Sequence, residues 1–148
     1  MTTADQPPKD LVGFLQFYFV DKAPFQLPDN AKELLVKWGP WITLILLILS
    51  LPVLLFALGL GALLVPFGGM AYAAGFTYSV IFVAIEIGMM IAALPGLFAR
   101  KQSAWQLMFW AQIIGLVAGV LRGAIVGPLI GAVIAFYILF QVRPLYTN

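Results

Sequence analysis

Two ionisable residues stand apart from all the others in this chain. Glu86 and Arg122 lie inside long apolar stretches, whereas every other Asp, Glu, Lys and Arg lies before residue 38, at 100–101 or at 143. A charge inside a bilayer costs about 2.5–3.5 kcal/mol on insertion scales, so each of the two needs a partner, protein or water. Their depths, counted along the predicted helices at about 1.5 Å per residue, differ by about 7 Å. This match predicts an intramembrane ion pair.

The sequence leaves two other roles open for Glu86. A single carboxylate in a membrane helix is typical of ion and proton paths, so Glu86 is also a candidate protonatable or cation-binding site. It lies about 200° around its helix from Ala84, nearly opposite the small residues of the same span, and could therefore face a second protomer.

Residue types required for most catalytic chemistry are absent. The chain has no Cys and no His, which excludes disulfides, zinc and iron–sulfur sites, and His-based acid–base catalysis. No nucleophile–base pair and no phosphate-binding loop can be recognised. We therefore expect no catalytic residues, no metal, no cofactor and no enzyme activity.

The composition is that of an integral membrane protein. Of the 148 residues, 63% are hydrophobic and 9% charged, against about 25% charged in a soluble domain. A soluble domain of this size could not bury so much apolar surface. The net charge of +2 is spread along the chain and does not form a nucleic-acid-binding stripe. These figures exclude a soluble enzyme, a disordered tail and a nucleic-acid binder.

The elements that would position Glu86 and Arg122 are four apolar spans. We predict an all-α fold: a four-transmembrane-helix bundle preceded by an N-terminal interfacial helix. Residues 1–30 form a cytoplasmic and interfacial segment, and residues 31–148 form the membrane domain, with spans at about 41–65, 70–98, 105–121 and 124–140. The alternative for 105–140 is a re-entrant hairpin, because both segments are at the short limit for crossing.

Residues that cap or interrupt helices predict where the elements begin and end. Asn30 and Glu33 have the spacing of a capping box, Gly39-Pro40 should interrupt the helix that follows, and Pro66–Gly69 should form a turn. The aromatic stretch 11–20 is too short to cross a membrane and fits an in-plane helix, or else a strand or a segment packed against the bundle.

The distribution of basic residues predicts the orientation. In a four-span arrangement Lys32, Lys37, Arg100, Lys101 and Arg143 share one side, and Arg122 alone lies on the other. The positive-inside rule then places both termini in the cytoplasm and the protein in the inner (plasma) membrane. The polar N-terminus has no secretory signal.

Small residues recur at intervals of four along the later spans. One series is Gly115, Gly119, Gly123, Gly127 and Gly131, and a second is Ala84, Gly88, Ala92 and Gly96. Such glycine-zipper spacing lets helices approach closely, either between protomers or within one chain.

These features favour a small non-catalytic membrane protein. We expect a scaffold or accessory subunit that packs through small-residue helix faces. Its partners would be the lipid bilayer and a homo-oligomer or larger membrane complex, without nucleic acid. The alternative is an oligomeric channel or transporter for an ion or proton that uses Glu86.

Overall fold

A computed structural model describes residues 8–148, and all regular secondary structure in that range is helical. The all-α prediction is therefore confirmed. Helix α1 comprises Leu11–Asp21, with its last turn in the wider π geometry. Helices α2, α3 and α4 comprise Asp29–Phe98, Gln102–Leu121 and Val126–Val142, and a short 3-10 turn, Arg143–Leu145, follows. Three of these helices, α2, α3 and α4 with the turn after it, are long and apolar enough to cross a membrane.

Helix α2 doubles back on itself at one residue. A straight helix of its 70 residues would be about 105 Å long. Instead, the rings of Trp41 and Phe98 lie 5.2 Å apart, and the Tyr72 hydroxyl donates to the Gly61 carbonyl at 3.4 Å. The reversal occurs at Gly69, whose φ of 72° and ψ of −177° are non-helical. The first arm (29–68) therefore runs antiparallel to the second arm (70–98).

The predicted interruption at Gly39-Pro40 is wrong. The backbone stays helical through Pro40, Pro52 and Pro66, and only Gly69 leaves the helical region. A proline removes one backbone hydrogen bond, a loss that long membrane-type helices tolerate. A positive φ is a stronger break, because it turns the chain and is accessible mainly to glycine. The turn expected over Pro66–Gly69 is thus confined to its last residue.

Helices α3 and α4 form an antiparallel hairpin. The indole N–H of Trp105 donates to the Leu139 carbonyl at 2.8 Å, and at the other end Gly119 faces Pro128. The chain turns at Gly123, which has a φ of 78°. Helix α3 begins three residues before its predicted limit, at Gln102, and α4 is shifted two residues along the chain, from 124–140 to Val126–Val142.

The two ends of the bundle differ in what they contain. We call one the terminal end, because Asn148 lies there: its N–H donates to the Arg100 carbonyl at 3.3 Å, beside the α2–α3 connection. The other is the reversal end, with Gly69 and the turn at Gly123. The main hydrophobic core lies toward the terminal end and comprises Val36, Ala93, Leu97, Ala104, Trp105, Phe109, Ala132, Phe136, Phe140, Val142 and Tyr146.

Candidate functional site

The carboxylate of Glu86 lies where α3 has no side chain. Glu86 is on the second arm of α2 and is partly buried. A Cβ added to Gly115 would lie 2.9 Å from Glu86 Oε1. The glycine therefore provides the space that the carboxylate occupies, and a bulkier residue at 115 would displace it.

A cavity of about 460 Å³ adjoins Glu86, between the two arms of α2 and helix α3. Its walls are mostly aliphatic, and Met90 and Met108 contribute to them. The other polar side chains in its lining are Thr43 and Ser50, and the Ser50 hydroxyl donates to the Leu47 carbonyl at 2.9 Å. Glu86 is thus the one ionisable group in the lining of this cavity.

Arg122 lies at the opposite end of the same helix pair, just after α3. Its Nε donates to the Ala118 carbonyl at 3.0 Å, one turn back along α3. It lines a second cavity of about 870 Å³ between the second arm and α3, together with Tyr72, Phe76, Tyr78 and others. Arginine suits this position, because the C-terminal carbonyls of a helix favour a cation.

The structure does not bring Glu86 and Arg122 into contact. Within residues 8–148 the ion pairs closer than 4 Å are Lys32–Asp29 and Arg100–Glu33. Glu86 faces Gly115, and seven residues of α3 separate Gly115 from Arg122, about 10 Å along the axis. This exceeds the depth difference expected from the sequence, and Arg122 is bonded to its own helix. The ion-site and subunit-contact hypotheses for Glu86 stay predictions.

The glycine series on α3 and α4 does not form one continuous face. Gly115 faces Glu86, and a Cβ on Gly119 would lie 2.6 Å from Pro128 Cγ. Gly123 forms the turn, while a Cβ on Gly127 or Gly131 would meet nothing within 4 Å. The series therefore divides into a packed part on α3 and an open part on α4.

The small-residue series on the second arm is also open. Ala84 and Ala92 are exposed, and a Cβ on Gly88 would meet nothing within 4 Å. Gly96, the last member of the series, is the exception, since an added Cβ there would lie 2.7 Å from the Cβ of Ala104. Both residues are small and flank the α2–α3 connection, so the two helices approach closely at this point.

Helix α1 packs on the terminal end of the bundle. Phe19 stacks on Phe140 with ring centroids 6.2 Å apart, and Gln141 Nε2 donates to the Phe19 carbonyl at 3.2 Å. Arg143 donates to the side-chain oxygen of Gln16. The opposite face of the helix exposes Leu11, Phe14 and Tyr18. One face of α1 therefore contacts protein and leaves a second, apolar face free.

An ion pair links the start of α2 to the α2–α3 connection at the terminal end. Arg100 Nη2 lies 2.5 Å from Glu33 Oε1, across the start of α2 and the α2–α3 connection. The hydrogen bond to Glu33 raises the pKa of Arg100 above its ordinary value. Glu33 does not cap its own helix as the sequence suggested, and no side chain caps the start of α2. In the described residues, no group of three acidic side chains could hold a metal ion.

No protein-family model, curated protein or solved structure matches the chain.

Proposed function

We propose that the protein is an integral membrane protein whose chain crosses the bilayer four times. The first and second arms of α2, α3 and α4 would be the four crossings, and α1 would lie at the interface. The most apolar stretch of α2 has 6% of its residues buried within the chain. Lipid, or another membrane protein, is the surrounding that such a surface requires.

The orientation follows from the charges. Lys32, Glu33, Arg100, Lys101 and Arg143 accompany the terminal end, and Arg122 is the cation of the reversal end. The positive-inside rule then favours a plasma (inner) membrane protein with both termini in the cytoplasm. Reporter fusions at the two chain ends should give cytoplasmic signals, and signals from opposite sides would contradict four crossings.

Within that membrane, we infer a non-catalytic role as a scaffold or accessory subunit. The observation that carries this inference is the pair of open small-residue faces, Gly127 and Gly131 on α4 and Ala84, Gly88 and Ala92 on the second arm. In helix pairs, faces of this kind are buried against another helix. Here Gly115 and Gly119 have such neighbours within the chain, whereas Gly88 and Gly131 have none within 4 Å. A second copy, or a larger complex, would supply the missing helix.

The test is the assembly state after mild extraction. We expect the wild-type chain to purify as a homo-oligomer or with one defined membrane partner. Gly131→Leu and Gly88→Leu should release the monomer, because leucine would hold the neighbouring helix away. Gly59→Leu is the matched control: Gly59 is equally open but has leucines four residues away on both sides. A wild-type chain that is monomeric and partner-free would contradict the proposal.

A second candidate, ion or proton transport in an oligomer, is favoured by one observation. Glu86 has no ion-pair partner within 4 Å in the described residues and borders a cavity that also contains Thr43 and Ser50. A carboxyl and two hydroxyls can bind a cation or relay a proton. Proteoliposomes with an internal pH- or cation-sensitive dye provide the test. Flux that Glu86→Gln abolishes and Glu33→Gln leaves intact would support transport, and the absence of flux would exclude it.

A further inference from the structure

The larger of the two cavities described above lies at the reversal end, away from Glu86. It has a volume of about 870 Å³ and runs between the second arm and α3. We call it the Arg122 groove. Ligand pockets in proteins commonly measure about 300–1,000 Å³ and combine apolar walls with a few convergent polar groups. The Arg122 groove meets both conditions, and the proposed functions leave it unused.

The walls of the groove are aromatic and suited to a hydrocarbon chain. Phe76 and Phe82 lie in its lining, and Tyr72 and Tyr78 add rings that carry a hydroxyl. The side chain of Tyr78 is 65% exposed and that of Leu121 is 70% exposed, so the groove is accessible from the surface of the bundle. Rings with one polar tip are typical of the boundary between hydrocarbon and headgroups.

The charge of the groove favours a ligand with an anionic group. Arg122 is its cation, and in the described residues no carboxylate lies within 4 Å of it. Among residues 8–148 the guanidinium donates through Nε to the Ala118 carbonyl, and its terminal N–H donors have no protein acceptor there. These donors form a fork that matches a phosphate. Glu86 belongs to the neighbouring cavity, about two helical turns along α3 from Arg122.

Arg122 lies partway along the groove. The second arm and α3 run antiparallel, with Gly96 opposite Ala104 and Glu86 opposite Gly115, so Arg122 lies level with about Ser79. Phe82 is then about 5 Å deeper in the bundle, and Tyr72 lies toward the reversal end. A phosphate at Arg122 would therefore have aromatic rings on both sides of it, and an acyl chain would start along Phe82.

We propose that the Arg122 groove binds an anionic phospholipid of the leaflet at the reversal end. The phosphate pairs with Arg122, and one acyl chain starts along Phe82 and runs toward the middle of the bundle. This inference goes beyond the scaffold role and depends only on the membrane placement. A chain that proves monomeric leaves it intact, so the failure of one proposal is distinguishable from the failure of the other.

The test is lipid binding to the purified full-length chain by native mass spectrometry. Dioleoyl phosphatidylglycerol and dioleoyl phosphatidylcholine are the probes, added at equal concentration to the detergent-solubilised protein. We expect the wild type to bind phosphatidylglycerol several-fold more tightly than phosphatidylcholine. Arg122→Gln should lower the affinity for phosphatidylglycerol about tenfold, a loss of about 1.4 kcal/mol, and Arg122→Lys should retain part of it. Lys101→Gln, which removes one exposed cation at the terminal end, is the matched charge control.

A second variant tests the chain-binding wall independently of charge. Gly75 lines the groove, and a Cβ there would meet nothing within 4 Å, so Gly75→Leu should fold normally and fill the groove. We expect it to lose phosphatidylglycerol binding while Gly59→Leu keeps it. Equal affinity of the wild type for the two lipids would overturn the proposal. So would unchanged phosphatidylglycerol binding in Arg122→Gln or in Gly75→Leu.

Discussion

The terminal and reversal ends of this bundle are held together by different means. At the terminal end, aromatic side chains from α1, α3 and α4 interdigitate, and Trp105, Phe109 and Phe140 are at most 1% exposed. At the reversal end, Ala118 and Gly119 are the buried residues of α3, and the tip residues Phe67 and Met70 are 86% and 91% exposed. Stability from side-chain packing is therefore concentrated at one end. The other end depends on close backbone approach and on its surroundings.

The difference suits the proposed roles of the two ends. A rigid terminal end holds the connections and both described chain ends in place. A loosely filled reversal end leaves room for the Arg122 groove. Because lipid tails are as apolar as leucine, exposed side chains there cost little in a bilayer, whereas small residues and cavities determine what binds.

Truncating an aromatic side chain at each end should show the largest contrast. Phe140→Ala removes a ring that contacts Trp105, Phe109 and Phe19, and we expect a loss of about 3–5 kcal/mol in the free energy of unfolding. Phe67→Ala should change it by less than about 0.5 kcal/mol. Unfolding in mixed dodecyl maltoside–SDS micelles, followed by circular dichroism, measures both. Equal losses would end the distinction between the two ends.

Two glycine substitutions compare a closely packed position on α3 with an open position on α4. Gly119→Ala forces a Cβ to 2.6 Å from the Pro128 ring, which cannot rotate away, so we expect a loss of about 1–3 kcal/mol. Gly131→Ala introduces its Cβ into open space and should stabilise the monomer by up to about 1 kcal/mol through helix propensity. The same unfolding assay applies. A neutral Gly119→Ala would mean that the α3–α4 hairpin is not closely packed there.

A smaller effect is expected from the ion pair at the terminal end. Glu33→Gln removes the partner of Arg100, and an exposed pair of this kind contributes about 0.2–1 kcal/mol. Because the hydrogen bond to Glu33 raises the pKa of Arg100, Arg100 stays charged throughout the neutral range and its contribution is lost only in strong alkali. The effect should shrink in 1 M salt. A double-mutant cycle with Arg100→Gln isolates the coupling, and strict additivity of the two losses would exclude it.

Tyr146→Phe should have the smallest effect at neutral pH and a visible one in alkali. Burial raises the pKa of Tyr146, and Arg100 partly offsets the rise. Since the folded pKa exceeds the unfolded value of about 10, the contribution of Tyr146 is complete below that value and is lost as the pH rises through the folded pKa. Unfolding measured between pH 8 and 11 should show a decline that Tyr146→Phe reduces. If the wild type and Tyr146→Phe lose stability equally between pH 8 and 11, the burial of this phenol is contradicted.

The sequence predicted the helices well and their contacts poorly. Long uncharged runs predict membrane-type helices regardless of neighbours, and the predicted spans 105–121 and 124–140 meet at Gly123, where the chain turns. Periodicity carries no information on which helix approaches which. The partner of Glu33 is Arg100, 67 residues along the chain, and it could not be distinguished from a local capping contact. Proline was overrated as a helix break, and the turn depends on the positive φ of Gly69.

For the candidate site, too, the sequence identified the residues but not their contacts. Their isolation in apolar stretches identified Glu86 and Arg122, but rise per residue alone could not show that the two occupy separate cavities. Tyr72, Phe76 and Tyr78 gave no sequence signal, because aromatic residues are common in membrane helices. Only the packing of the second arm against α3 brings these rings beside Arg122.

In the membrane placement proposed above, the reversal at Gly69 bears on how the chain would enter the bilayer. The two arms of α2 are joined without a hydrophilic loop, and the tip carries Phe67 and Met70. No charged stretch between the arms would have to cross the membrane during synthesis. Both arms could therefore insert together as one hairpin, driven by their combined apolar surface.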